Sequence, residues 1–187
     1  MNEVHYGPLQ QLIGIWKGDK GTDIAPEPNG EENNPYFETI TFEAMGTVQN
    51  ANIQTLAVLH YKQIVQRIEN GQVFHHQCGY WSWDADTGVL THSFSIPRGV
   101  SVVACGKVLD DEALPDATVI QVSAEDTGFD GGIAQTSLMQ KNANTTAFTQ
   151  LLTIQGDSLE YQQTMMLDIY NKTFEHIDSN ILVRQSH

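Results

Sequence analysis

The chain is short of positive charge. Its 187 residues carry 9 Lys and Arg against 23 Asp and Glu, a formal net charge of −14. A field of that sign repels phosphate and anionic lipid, which argues against nucleic-acid and membrane-surface partners. Cysteine is scarce as well: Cys78 and Cys105 are too few for a disulfide framework and read as free thiols in a reducing cytoplasm. No apolar run approaches the roughly 20 residues that a membrane span requires. Met1 to His5 has neither the basic start nor the apolar stretch of a secretory leader, which again points to a cytoplasmic protein. Helical periodicity is nearly missing. Pro8 to Ile13, ended by Gly14, is a short N-terminal helical turn. There is no Gly-x-Ser-x-Gly, no phosphate-cradling loop and no dinucleotide fingerprint, so the common nucleophile and nucleotide chemistries are not indicated.

What the sequence does contain is alternation. Ile53, Thr55, Ala57, Leu59 and Tyr61 alternate with a more mixed set, the signature of a strand with one apolar face. Similar strands read near 36–44, 72–83, 89–96, 100–108, 117–124, 133–140, 146–154, 158–170 and 178–185. Turn signals such as Asn70-Gly71 and Gly156-Asp157 separate them. The segment 22–35, with three prolines and four acidic residues, reads as an irregular loop. About ten strands joined by short turns must pair antiparallel, and closure removes their edges. The expected fold is therefore all-β, a single antiparallel up-and-down β-barrel spanning 1–187, with a two-sheet sandwich as the alternative.

A barrel of that width has room for a small ligand. One face of 158–170 carries Leu159, Tyr161, Gln163, Met165, Leu167 and Ile169, and one face of 72–83 carries Val73, His75, Gln77, Gly79, Trp81 and Trp83. Apolar walls with a few polar groups describe a pocket, and equally a filled core. Of the seven histidines, His5 and His187 sit near the chain ends, His60 reads as solvent-facing, and His92 reads as a hydrogen-bonded structural residue. His75 and His76 point to opposite faces and cannot both enter the barrel without a bulge, which weakens a zinc site built from His75, His76 and Cys78.

Several short patterns, in order along the chain, resemble the nitrobindin-like haem-binding β-barrels, also described as fatty-acid-binding-protein-like. Leu9, Leu12 and Gly14-Ile15-Trp16-Lys17-Gly18 resemble that family's opening, and Phe37-Glu38, Phe42 and Gly46 its second strand. His75-His76-Gln77-Cys78-Gly79-Tyr80 resembles its His-x-Glu-x-Gly-Tyr strand. Ser95-Ile96-Pro97-Arg98-Gly99-Val100 and the closing Leu159-Glu160-Tyr161, Met165 and His176 to Arg184 follow the same order. The resemblance implies haem b as cofactor, with His176 as the proximal iron ligand, His75 on the distal side, and Phe74 and Met165 against the porphyrin. It also implies reactivity toward nitric oxide and peroxynitrite, the latter isomerised to nitrate. Asp178 or Glu175 would accept the second imidazole proton of His176. Trp16 would close the barrel base, packed with a basic residue such as Arg184.

The sequence departs from the pattern at Lys20, Gln77 and Ser82, and offers few cations to meet anionic propionates. The alternative is a non-enzymatic, lipocalin-like carrier or sensor of a small apolar molecule in the same cavity. A third class is an interaction module that uses the acidic 22–35 segment. The implied partner is a small molecule inside the barrel, with homodimer formation left open.

Overall fold

A computed structural model describes residues 4–125 and 131–186; Met1 to Glu3 and His187 lie outside the described residues. After a 3-10 turn at Gly7–Leu12, the described residues form eleven strands. They are β1 (Gly14–Glu27), β2 (Gly30–Asn50), β3 (Gln54–Arg67), β4 (Val73–Asp84), β5 (Leu90–Ile96), β6 (Val100–Leu109), β7 (Thr118–Glu125), β8 (Gly131–Gln135), β9 (Ala143–Gln155), β10 (Ser158–Ile169) and β11 (Lys172–Arg184). A short helix, α1 (Ser137–Asn142), interrupts the series between β8 and β9. From β1 to β7 and from β9 to β11 neighbours in sequence pair antiparallel, β7 pairs with β9, and β1 pairs with β11 to close the ring. β7 pairs with Cys105 to Leu109 of β6 and β8 with Val100 to Ala104, so the two share one place and the barrel has ten positions. This is the up-and-down barrel that the alternation predicts, not the sandwich.

Three segments differ from expectation. Residues 22–35 are not a loop: β1 and β2 run through them as one long hairpin, with Thr22 opposite Pro35 and Glu27 opposite Gly30. The prolines fit because they stand where a neighbour is missing. Pairing of β2 with β3 begins only at Tyr36, and pairing of β1 with β11 ends at Ile24, so Pro35 and Pro26 interrupt no ladder there. The expected strand 133–140 is instead the end of β8 followed by α1, whose cap Thr136 accepts from the Met139 amide at 3.4 Å. β11 begins at Lys172, not 178, because Tyr170 and Asn171 take left-handed φ values of 54° and 61° and close a two-residue hairpin.

The interior is graded along the barrel axis. At the end closed by the 3-10 turn, Leu9, Leu12, Trp16, Leu59, Leu90, Ile154, Leu159 and Leu182 are fully buried. Trp16 donates to the Leu12 carbonyl at 2.7 Å, and the Arg184 guanidinium lies 4.2 Å above its ring. Arg184 also donates to the carbonyls of Ile13 and Gln11, both at 2.7 Å, and to Asp157 at 3.0 Å. It thus ties the last strand to the first turn. Arg184→Ala is expected to cost about 2–4 kcal/mol, the sum of one cation–π contact and several charge-assisted hydrogen bonds. Chemical denaturation of the variant checks this.

Above that seal lies an aromatic layer of Phe42, Tyr61, Trp81, Phe94 and Phe148. His92 is within it, 1% exposed and stacked on Trp81 at 4.2 Å and 11°. Neither of its ring nitrogens has a hydrogen-bond partner among the described residues, which corrects its reading as a hydrogen-bonded residue. Next comes a polar belt, with Glu38, Gln63, Gln77, Gln150, Gln163 and Asn180 all buried. The far end of the barrel is ionisable, and there the sequence-predicted site residues gather.

Candidate functional site at the polar end of the barrel

Two bulges determine which side chains reach this end. In β1 the register against β2 shifts between Gly18 and Gly21, inserting one extra residue. The shift reverses the inward parity, so Trp16 and Asp23 both face the interior although they are an odd number of residues apart. The close approach needs glycine: a Cβ at Gly21 would coincide with the Tyr36 ring, and one at Gly18 would meet the Ile181 carbonyl at 2.6 Å. In β4, His75 pairs with Val65 but Val73 pairs with Gln66, which leaves Phe74 as the extra residue. Phe74 and His75 consequently both line the same cavity, while His76 stays exposed outside.

That cavity measures about 70 Å³ and is lined by Asp23, Tyr36, Phe74, His75, Arg98 and Asp178, among others. Asp23 on β1 stands directly across from Asp178 on β11. His176, two residues before Asp178 and on the same face, places its Nε2 2.7 Å from Asp23 Oδ1 and 3.9 Å from Asp178 Oδ1. The remaining aspartate oxygens are held by amides: Gln163 donates to Asp178 Oδ2 at 3.0 Å, and Asn34 to Asp23 Oδ2 at 3.4 Å. Gln150 donates in turn to Gln163 at 3.2 Å, so a chain of amides connects the cluster to the polar belt. Below it, Glu38 accepts from Gln63 at 2.7 Å and from Asn180 at 2.8 Å. The Tyr36 and Tyr161 hydroxyls meet at 2.8 Å.

The environment sets the protonation of these groups. Burial pushes the His75 imidazole below its ordinary value and outweighs its hydrogen bond to Gln77 Oε1, so His75 is neutral at pH 7. Burial also opposes charge on His176, but the hydrogen bond that it donates to Asp23 and the charges of Asp178 and Asp23 reverse the balance and raise it. Burial raises Asp178 to about 6, against the pull of the His176 charge. Burial likewise brings Glu38 up to about 7 despite the amides that solvate its carboxylate. The site therefore sets a neutral imidazole, His75, near a proton-holding imidazole–carboxylate cluster.

The structure brings together most of the residues singled out by sequence. His75 and Phe74 line the cavity, and His176 reaches it through two aspartates that do line it. Met165 pairs with His176 across β10 and β11 and packs against the core, outside the cavity lining. The partner foreseen for His176 was Asp178 or Glu175. Glu175 is exposed, Asp178 is the more distant contact, and the close one is Asp23, in the segment whose composition reads as a loop.

The arrangement defines a closed antiparallel barrel with one sealed apolar end and one polar, ionisable end. Residues 5–184 match the model of the THAP4-like, heme-binding beta-barrel domain, and the chain belongs to that family. The crystal structure of Rv2717c from M. tuberculosis is similar in fold, with a TM-score of 0.74 and 20% sequence identity, over 98% of this chain and 100% of that one. Among curated proteins no sequence matches this chain. No helix among the described residues is long and apolar enough to cross a membrane.

The residues present do not fit a porphyrin as they are arranged. A ligand even of drug size occupies about 300 Å³ or more, several times the cavity here. His176 Nε2, the atom a haem iron would need, is committed to Asp23 at 2.7 Å. Two carboxylates, Asp23 and Asp178, also line the cavity, an unfavourable lining for an anionic macrocycle.

Proposed function

We propose that this member of the haem-binding barrel family binds a small polar guest at its ionisable end rather than a porphyrin. The observation that carries the reading is the Asp23–His176 contact of 2.7 Å beside a cavity of about 70 Å³. The lining of carboxylates, imidazole, phenol and amides suits a guest of a few polar atoms, and it disfavours the apolar ligand of a lipid carrier. The neutral His75 would serve as acceptor toward that guest, and the Arg98 guanidinium on the cavity wall as donor.

Haem b is the second reading, favoured by the family and by the gathering of His75, His176 and Phe74 at one end of the barrel. With it would come the nitric oxide and peroxynitrite reactivity that the resemblance implies. Adding hemin to the purified chain separates the two. The expected result is a spectrum that His176→Ala leaves unchanged. A Soret band that this substitution abolishes overturns the small-guest reading.

A further inference from the structure

Resting on the small-guest reading, we propose that Asp23, His176 and Asp178 bind one divalent first-row transition-metal ion. Each residue offers one donor atom, and the three atoms lie within 4.8 Å of one another. Metal–oxygen and metal–nitrogen bonds near 2.0–2.2 Å put adjacent ligands about 3 Å apart. The observed separations of 2.7 and 3.9 Å bracket that value, so side-chain rotation alone adapts the cluster to an ion. Asp23 and Asp178 occupy directly paired positions of β1 and β11, and His176 lies one residue beyond the last pair, Ile24 with Ile177, paired instead with Met165 of β10.

Two further features point to a cation. Each aspartate has one oxygen held by an amide, Gln163 on Asp178 and Asn34 on Asp23, which turns the other oxygen toward His176. This is the outer support that ligating carboxylates receive in metal sites. Neither aspartate is paired directly with a fixed cation. Among the described residues no Lys or Arg forms a salt bridge with Asp23 or Asp178, and His176 is the one ionic partner of both. Of the nearby guanidiniums, Arg67 donates to Asn34 and Arg98, on the cavity wall, donates to the Phe74 carbonyl. One imidazole and two carboxylates suit manganese, iron, cobalt or zinc better than the softer thiolate-seeking ions. The adjoining cavity, with His75 on its wall, would leave the remaining coordination positions to water or a small guest.

The test uses the whole chain, stripped with a chelator and titrated with Co²⁺ and then Zn²⁺. Expected are one equivalent bound, visible Co²⁺ ligand-field absorption and a Zn²⁺-dependent rise in Tm. Asp23→Asn and Asp178→Asn should each weaken binding by roughly tenfold or more, whereas His76→Ala, on the outer face, should not. In case a variant fails to fold, Mn²⁺ added to the unaltered protein should broaden the imidazole NMR signals of His176 and His75 and leave His60 sharp. No binding, binding indifferent to both aspartates, or broadening of His60 alone overturns the proposal. A His176-dependent Soret band would instead overturn the small-guest reading beneath it. Absence of both haem and metal binding removes the metal proposal alone.

Discussion

Below pH 6.5 the barrel should lose stability that a His92→Phe variant keeps. Burial holds the His92 imidazole at about 3, against 6.5 for the free side chain. The folded state therefore binds this proton far more weakly than the unfolded state. Stability is present in full above 6.5 and is lost as pH falls toward 3, at about 1.4 kcal/mol per pH unit. Across the whole window the loss attributable to His92 is about 4–5 kcal/mol, comparable with the entire stability of many domains. Phenylalanine keeps the stack on Trp81 and the contacts with Phe94 and Phe148, and it removes two buried nitrogens that have no partner. At pH 7 the variant should match or exceed the wild type. Urea midpoints taken in steps from pH 7 to 4 measure the difference directly. Parallel curves for the two proteins would show that His92 does not titrate on unfolding.

His92 illustrates what the sequence conveyed and what it concealed. Its parity with Leu90 and Phe94 was readable, and that parity places it inside. Its lack of a hydrogen bond was not readable, because the neighbours around it come from β3, β4 and β9. Alternation was a sufficient guide to the strands wherever the interior is apolar. In the other half of the barrel the inward positions are Glu38, Gln63, Gln77, Gln150, Gln163 and Asn180, residue types that ordinarily mark the solvent face. There the pattern reads as polar on both sides.

The bulges concealed the site more effectively still. A period of two carried forward from Trp16 turns Asp23 outward, and carried back from His75 it turns Phe74 outward. One inserted residue in β1 and another in β4 reverse both assignments. The prolines of 22–35 completed the disguise, since proline in a strand is tolerated where a neighbouring strand has ended, and sequence does not announce where that is. His75 and His176 were found because the resemblance singled them out. Asp23 had no such signal. It is the residue that most changes the chemistry expected of His176, by occupying the nitrogen a haem iron would use.

The polar belt beneath the site yields the second large effect, of opposite sign. Glu38→Gln should be more stable than the wild type by about 3 kcal/mol above pH 7, with the advantage gone by pH 4.5. The wild-type carboxyl sits at about 7 in the fold against 4.5 in the free side chain, so the folded state binds the proton more tightly than the unfolded state. Its contribution to stability is whole below 4.5 and disappears as pH rises through 7, whereas a glutamine does not titrate. Glu38→Ala separates this charge effect from hydrogen bonding. It strands the side-chain amides of Gln63 and Asn180, and should be less stable than Glu38→Gln by about 2–4 kcal/mol at every pH. Thermal unfolding of the three proteins at pH 4.5 and 8 distinguishes these cases. A Glu38→Gln difference that does not change with pH would mean that the carboxyl titrates normally. A carboxylate that costs the fold stability at neutral pH, yet takes hydrogen bonds from amides on two other strands, is a positioning device. Gln63 reaches on to the Tyr161 hydroxyl, which meets Tyr36 on the cavity wall, and Asn180 lies two residues from Asp178 on the same inward face. A glutamine in place of Glu38 presents one acceptor oxygen to these two donors, so one amide must turn. The more stable variant should therefore hold a less well ordered site.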